Sequence, residues 1–430
     1  MVKISNVKIN MSTKTVVIVV VVFLLLAVIG TAVGLSCSGS HALDKELDYK
    51  AVNALPSLSK YMSKINTMYK PYDNSQLPLT VPMIWDDDEG GYLITLNLDG
   101  NWIPLVFDTG SSHVSAKGLN CQWKQCPDSG GECTVQSCPK TASYIPRGPQ
   151  VAVNQQNNSL LEYGSQKSSV THHVEPFALL DVRVNCADFL RAGNFRSVQE
   201  FMEKLFPSQL GGVPLVSFGP TVLYNIYAIE GTTTSNIFGL AQTNDSSPAV
   251  LDAFFPNDKT EKVWSIACYP RHAFFSLGPL RCYGTPKFVP LLQPSAFKRF
   301  LTTFYVVKLK DIVVGNKSVK KSSLPKFVVL DTGTAFTYCN KALVSAMTDA
   351  GYKPGASSVN VVLGSSVSNV SLHYEPGALT NAFLSDLPQI DTMFNNIPVL
   401  LLGVEQMYNF YFEYNLSQQM LGISSLATPQ

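Results

Sequence analysis

The chain has 430 residues, enough for two or three domains, and its 31 acidic and 32 basic residues nearly cancel. That balance excludes a nucleic-acid partner held by bulk positive charge. Charged residues make up only 15% of the chain, and the abundance of Ser, Thr, Asn, Val and Tyr predicts a β-rich fold with polar loops rather than a helical one.

In chain order, the first distinct element is residues 16–35, VVIVVVVFLLLAVIGTAVGL, which carry no charge. At ~1.5 Å per residue a helix of this length crosses a hydrocarbon core of ~30 Å. Lys3, Lys8 and Lys14 precede it, and Asp44, Glu46 and Asp48 follow. Positive-inside logic therefore predicts a cytosolic tail at 1–15, a single-pass type II signal-anchor at 16–35, and a lumenal or extracellular remainder. A cleaved signal peptide, giving a secreted protein, is the alternative, although its apolar region runs only ~7–15 residues. Residues 36–80 are polar, with Lys45, Lys50, Lys60, Lys64 and Lys70, and read as a stalk or a prosegment.

Beyond that stretch, short apolar runs such as YLITLNL and IPLVF alternate with Gly, Pro, Asn and Asp, the pattern of strands and turns. Two helices interrupt them: 195–205, with apolar residues at helical spacing, and the segment after Asn340, which is placed to cap it. A proline-rich stretch near 285 divides the remainder into lobes at 81–284 and 285–426. Nine cysteines and five Asn-x-Ser sequons, at Asn157, Asn244, Asn316, Asn369 and Asn415, suit an exported, N-glycosylated chain.

One motif occurs twice. Residues 106–112 read VFDTGSS and residues 328–334 read VVLDTGT. Asp-Thr-Gly is ordinary turn chemistry after a strand, but two copies followed by Ser or Thr arise by chance with a probability on the order of 10⁻⁴ at everyday residue frequencies.

These two stretches resemble the paired active-site loops of pepsin-like aspartic proteases. Further segments resemble that family in the same order: LEYGS at 161–165 its flap, NIFGLA at 236–241 and VLLLG at 399–403 its two apolar-apolar-Gly strands, and NFYFEYNLSQQMLGIS its closing hairpin. The resemblance implies a mainly antiparallel, all-β bilobal fold with a few short helices, an aspartic endopeptidase activity, a peptide or protein substrate in the cleft, no cofactor or metal, and a monomer. Asp108 and Asp331 are the implied catalytic pair. Two carboxylates ~3 Å apart cannot both ionise, so they share one proton and act together as base and acid on a bridging water.

The same resemblance implies the supporting residues. Ser111 and Thr334 orient the carboxylates, Thr109 and Thr332 lock the loops together, and Gly110 and Gly333 let the backbone approach the acids. Gly239 and Gly403 let neighbouring strands pass close, and Tyr163, Gly164 and Ser165 belong to the flap. CQWKQC, with Cys121 and Cys126, resembles the small disulfide loop of the family's first lobe, and CTVQSC adds Cys133 and Cys138. Four cysteines so close also suit zinc, but an exported chain favours disulfides. The pairing of Cys186, Cys268, Cys282 and Cys339 is open.

The chain departs from the family in places. Ser115 stands where many members carry a tryptophan that bonds the flap tyrosine. Gln166 and Lys167 replace the usual glycine-containing flap tip, Val404 replaces an acidic residue, and 187–212 reads as an insertion. His113 reads as an exposed polar loop residue, with a pH-sensing role as the alternative. A catalytically inactive binding protein on the same fold is the competing reading. Inactive relatives typically lose an Asp or its adjacent Gly, and this chain keeps them.

Overall fold

Apolar runs of two kinds become strands in two kinds of place. Asn369–Tyr374 alternates exposed and buried residues, as an outer antiparallel strand with one solvated face must. Val263–Cys268, Val399–Gly403 and Phe410–Asn415 are buried along their whole length, because structure covers both of their faces. The computed structural model describes residues 79–98, 101–125, 134–138, 144–146, 159–163, 166–181, 217–233, 235–242, 249–255, 261–292, 304–377, 385–387, 390, 394 and 396–426. The expected tail, anchor, helix at 195–205 and insertion at 187–212 lie outside these residues, as does the stalk up to residue 78.

The described chain is mainly β, with a few short helices. A 13-stranded sheet runs in the order Lys287–Pro290, Met420–Ser425, Phe410–Asn415, Val263–Cys268, His272–Leu277, Leu79–Asp86, Gly91–Leu98, Asn101–Asp108, Ile237–Gly239, Val114–Lys117, Ser217–Ile229, Gln166–Asp181 and Ser159–Tyr163. A second sheet of eight strands holds Asn369–Tyr374, Val359–Gly364, Tyr305–Val314, Phe327–Asp331, Val399–Gly403, Tyr338–Cys339 and Ser385–Asp386 in that order, with Lys317–Ser318 pairing off Tyr305–Val314. The helix Lys341–Asp349 begins at Asn340, whose Oδ1 accepts from the Leu343 N–H at 3.1 Å.

Both sheets contain the same local arrangement. Asn101–Asp108 ends on Asp108 and pairs in parallel with Ile237–Gly239, which puts Gly239 opposite Asp108. Ile237–Gly239 then pairs antiparallel with Val114–Lys117. In the other sheet Phe327–Asp331 ends on Asp331, pairs in parallel with Val399–Gly403 so that Gly403 faces Asp331, and the latter strand pairs antiparallel with Tyr338–Cys339. A parallel pair needs a long crossover between its strands, so in each sheet the chain returns from far along the sequence to lay a glycine beside the aspartate.

The halves meet on an aromatic floor. Trp264 is fully buried and stacks on Tyr414 with ring centroids 4.0 Å apart and 2° between planes. It also meets Phe107 at 6.1 Å, immediately before Asp108, and Tyr305 at 5.6 Å in the second sheet. The Tyr305 hydroxyl donates to the Leu240 carbonyl at 2.6 Å, next to Gly239. Leu79–Asp86 is an inner strand, paired with His272–Leu277 on one side and Gly91–Leu98 on the other, with Leu79, Val81 and Met83 in the core.

Replacing Trp264 with Ala removes the ring that touches both sheets. Truncation of a buried Trp costs about 3–5 kcal/mol, so the chemical-denaturation midpoint of Trp264→Ala is expected to fall by the corresponding amount.

Candidate active site

Each aspartate is held at the end of its strand by its own loop. Asp108 Oδ1 accepts the Gly110 N–H at 2.7 Å, and Oδ2 accepts the Ser111 hydroxyl in a short hydrogen bond. Asp331 Oδ1 accepts the Gly333 N–H at 3.0 Å, and Oδ2 accepts the Thr334 hydroxyl at 2.7 Å. The two sets correspond atom for atom, as the repeated motif requires.

Two threonines join the loops. The Thr109 N–H donates to Thr332 Oγ1 at 3.0 Å, and the Thr332 N–H donates to Thr109 Oγ1 at 3.0 Å. Each hydroxyl passes its own proton onward, Thr109 to the Leu330 carbonyl at 3.0 Å and Thr332 to the Phe107 carbonyl at 2.8 Å. Both threonines are wholly buried, so no water competes for these bonds.

The joined loops bring the carboxyl groups of Asp108 and Asp331 together. A methyl at Gly110 would press on Asp331, its nearest atom 2.6 Å from Oδ1, and one at Gly333 would clash with the Asp108 carboxyl. Each loop's glycine therefore lies over the other loop's acid. A methyl at Gly239 or Gly403 would meet the backbone of the Asp-Thr-Gly loop it crosses, at Ser111 and His113 or at Thr334 and Phe336. Burial pushes Asp331 well above the usual carboxylate range, and the Asp108 charge and a hydrogen bond to Asp108 push it further; Thr334 and the Gly333 N–H act in the opposite direction. The site can hold one proton between two acids, at 8% and 9% exposure.

Other expected residues fall as follows. Tyr163 ends the first strand of a hairpin and pairs with Gln166, while Gly164 and Ser165 lie outside the described residues. Cys121 is bonded to Cys138, which corrects the pairing expected within CQWKQC. Gln122–Gln125 and Thr134–Ser137 form an antiparallel hairpin with Gln122 opposite Ser137, so Cys121 and Cys138 face each other at its base, Cα atoms 5.6 Å apart. Cys126 and Cys133 lie outside the described residues. Cys282 is also disulfide-bonded.

Among the sequons, Asn316 and Asn369 are exposed, whereas Asn157 and Asn244 lie outside the described residues. Asn415 is only 6% exposed, and its Nδ2, the atom a glycan would need, donates to Glu261 at 2.6 Å. In the folded chain this asparagine is therefore far less accessible than Asn316 or Asn369.

Sequence reasoning missed the surroundings of the first loop. His113 is half-buried rather than exposed, with its ring 4.9 Å from that of Tyr227, which lies 4.3 Å from the ring of His172. Nothing in the sequence brings these three together except strand register. In the turn after Leu79–Asp86, Glu89 accepts from the Ser235 hydroxyl and lies 4.0 Å from Lys117 Nζ. Burial raises the Glu89 carboxyl despite both partners.

No family model matches the sequence, and no curated protein matches it. The structure does match solved structures, among them the crystal structure of basic 7S globulin from soybean, with a TM-score of 0.51 and 13% identity over 82% of this chain and 95% of that one. At that identity the likeness concerns the fold alone. The chain has a pepsin-like fold.

The threonine exchange generates a double-mutant test. Thr109→Val leaves the Thr332 N–H and the Leu330 carbonyl unpartnered, and Thr332→Val leaves the Thr109 N–H and the Phe107 carbonyl so. Each is expected to cost about 1–3 kcal/mol in denaturation, and the double variant less than the sum, because the two sites share their bonds.

Proposed function

We propose that this protein is an aspartic endopeptidase that hydrolyses peptide bonds with a water molecule activated between Asp108 and Asp331. The reading is carried by one observation: two buried carboxyl groups from separate sheets, each accepting an N–H and a hydroxyl from its own loop, and each lying under the other loop's glycine. One acid is ionised and accepts a proton from the water, while the other is protonated and donates toward the scissile carbonyl oxygen. Attack by the water then gives a tetrahedral intermediate without a covalent enzyme adduct. Because the protonation belongs to the pair, neither residue owns the proton.

A second reading, a catalytically inactive binding protein, is favoured by the likeness to a protein named as a globulin rather than as an enzyme. Retention of both acids and both adjacent glycines favours catalysis. The reading includes the single-pass anchor at 16–35, with the lobes on the lumenal or extracellular side and a peptide or protein substrate in the cleft. It also makes the lysine-bearing segment before the lobes a prosegment. Since Leu79–Asp86 is bonded on both sides within the sheet, a removable segment must end before Leu79.

Peptide cleavage is expected in acid, inhibited by a statine-type compound and lost by at least about a hundredfold in Asp108→Asn. Cleavage that survives the substitution, or none under any activation condition, rules the enzyme out. The raised Asp331 carboxyl carries a sign for stability. The native state keeps a proton that the unfolded chain releases near pH 4, so this contribution falls as pH rises from there through the elevated native value. Asp331→Asn is expected to abolish cleavage and to flatten that fall in the denaturation midpoint between pH 4 and 8. N-terminal sequencing of fully active material should give a start upstream of Leu79; a start beyond it contradicts the inner-strand argument.

A further inference from the structure

The hairpin that carries Tyr163 leaves the large sheet at a definite point. Among the described residues Ser159–Tyr163 pairs with Gln166–Asp181, from Ser159 opposite Val170 to Tyr163 opposite Gln166. Gln166–Asp181 pairs with Ser217–Ile229 only from Val170 onward, Val170 facing Ile229, and the last bond across this junction is from the Glu230 N–H to the Ser169 carbonyl at 2.8 Å. Among the described residues, those before Ser169 therefore extend past the sheet with each other as ladder partners. His172 lies at the root of the projection.

At that root one row of residues crosses three strands: Ser115 is opposite Tyr227 in the parallel pair, and Tyr227 is opposite His172 in the antiparallel pair. Residues in register share a face of the sheet. This is not the face that builds the main core, which takes the neighbouring Val114, Ala116, Ile226 and Ala228; Tyr227 instead clusters with Val170 and Ile229. The Ser115 side chain is too short to cross the row. His113 does so from the loop, its backbone carbonyl fixed by the Gly239 N–H at 2.9 Å and its ring against Tyr227 at 4.9 Å. Tyr227 in turn meets His172 at 4.3 Å and 57°, a tilted geometry favourable to aromatic pairs.

We propose that His113, Tyr227 and His172 are positioning residues, a continuous ring contact that holds the root of the projecting hairpin in place relative to the first catalytic loop. The His172 end of the contact is held uncharged. Burial lowers His172 to about 4, with the His113 and His173 charges acting in the same direction, while His173 itself bonds Thr171 Oγ1 at 3.1 Å. The kinetic consequence rests on the endopeptidase reading above; the structural one does not.

The test is amide hydrogen exchange on the full-length chain, comparing wild type with His113→Ala, His172→Ala and the ring-preserving His172→Phe. Exchange in 159–171 is expected to rise about tenfold or more in both alanine variants, while Tyr305–Val314 and Phe327–Asp331 stay at wild-type rates, and His172→Phe is expected to restore protection. For peptide cleavage, the alanine variants should raise KM several-fold with kcat within about twofold, the pattern of lost uniform binding. An unchanged hairpin, a rise shared equally by the second sheet, or a His172→Phe variant as labile as His172→Ala overturns the proposal. If the wild type cleaves nothing, the endopeptidase reading fails, and the exchange pattern alone decides the role of the rings.

Discussion

Two N–H groups and two hydroxyls, exchanged between Thr109 and Thr332, decide whether a site exists at all. Each carboxyl group arrives at the end of a strand in a different sheet, so nothing within either half sets the distance between the acids. The exchange sets it, through side chains with no solvent exposure. A hydrogen bond there faces no competition from water, and an unmade one has no substitute. The elevated Asp331 carboxyl follows from the same lock, since the halves are held where burial and the facing Asp108 oppose ionisation. The fold thus maintains a pair of groups that would separate or ionise if the loops came apart.

A lock between loops positions acids only if the strands behind them are fixed, and the aromatic floor does that. Phe107 immediately precedes Asp108 and lies against Phe275, Trp264 and Phe238. Tyr305, from the second sheet, reaches the carbonyl beside Gly239. These contacts are large and apolar, and close packing resists displacement. The small residues sit where the packing must give way: a Cβ at Gly110, Gly239, Gly333 or Gly403 would collide with an acid or with loop backbone. Large rings behind the loops and bare backbone in front of them serve the same geometry.

What was legible in the sequence was local or repeated. The two Asp-Thr-Gly motifs, the continuous apolar runs and the Asn340 cap each announce themselves within a few residues, and a duplicated motif needs no long-range information to be noticed. The disulfide was not legible, because two C-x4-C segments admit several pairings and only the register of Gln122–Gln125 against Thr134–Ser137 selects Cys121 with Cys138. Asn415 carries the same triplet as Asn316, but a strand buries it against Glu261. The contact of His113 with Tyr227 and His172 depends on the register of three strands far apart in the chain. No local pattern encodes such a row.

The duplication also shows where the halves have parted. Five residues beyond each aspartate, the first loop carries His113 and the second carries Phe336, and the two occupy matching places: the backbone of each is what a Cβ on the crossing glycine would strike, Gly239 in one half and Gly403 in the other. The His113 ring turns into the sheet and meets Tyr227, whereas Phe336 remains 37% exposed. Through Ser111 and Thr334 the loops are copies, because the acids need identical donors. Past that point the constraint ends, and each loop answers to its own surroundings. One ring packs against a strand residue, and the other stays partly open to solvent. Symmetry in this molecule is kept where two buried carboxyl groups are brought together and given up immediately afterwards.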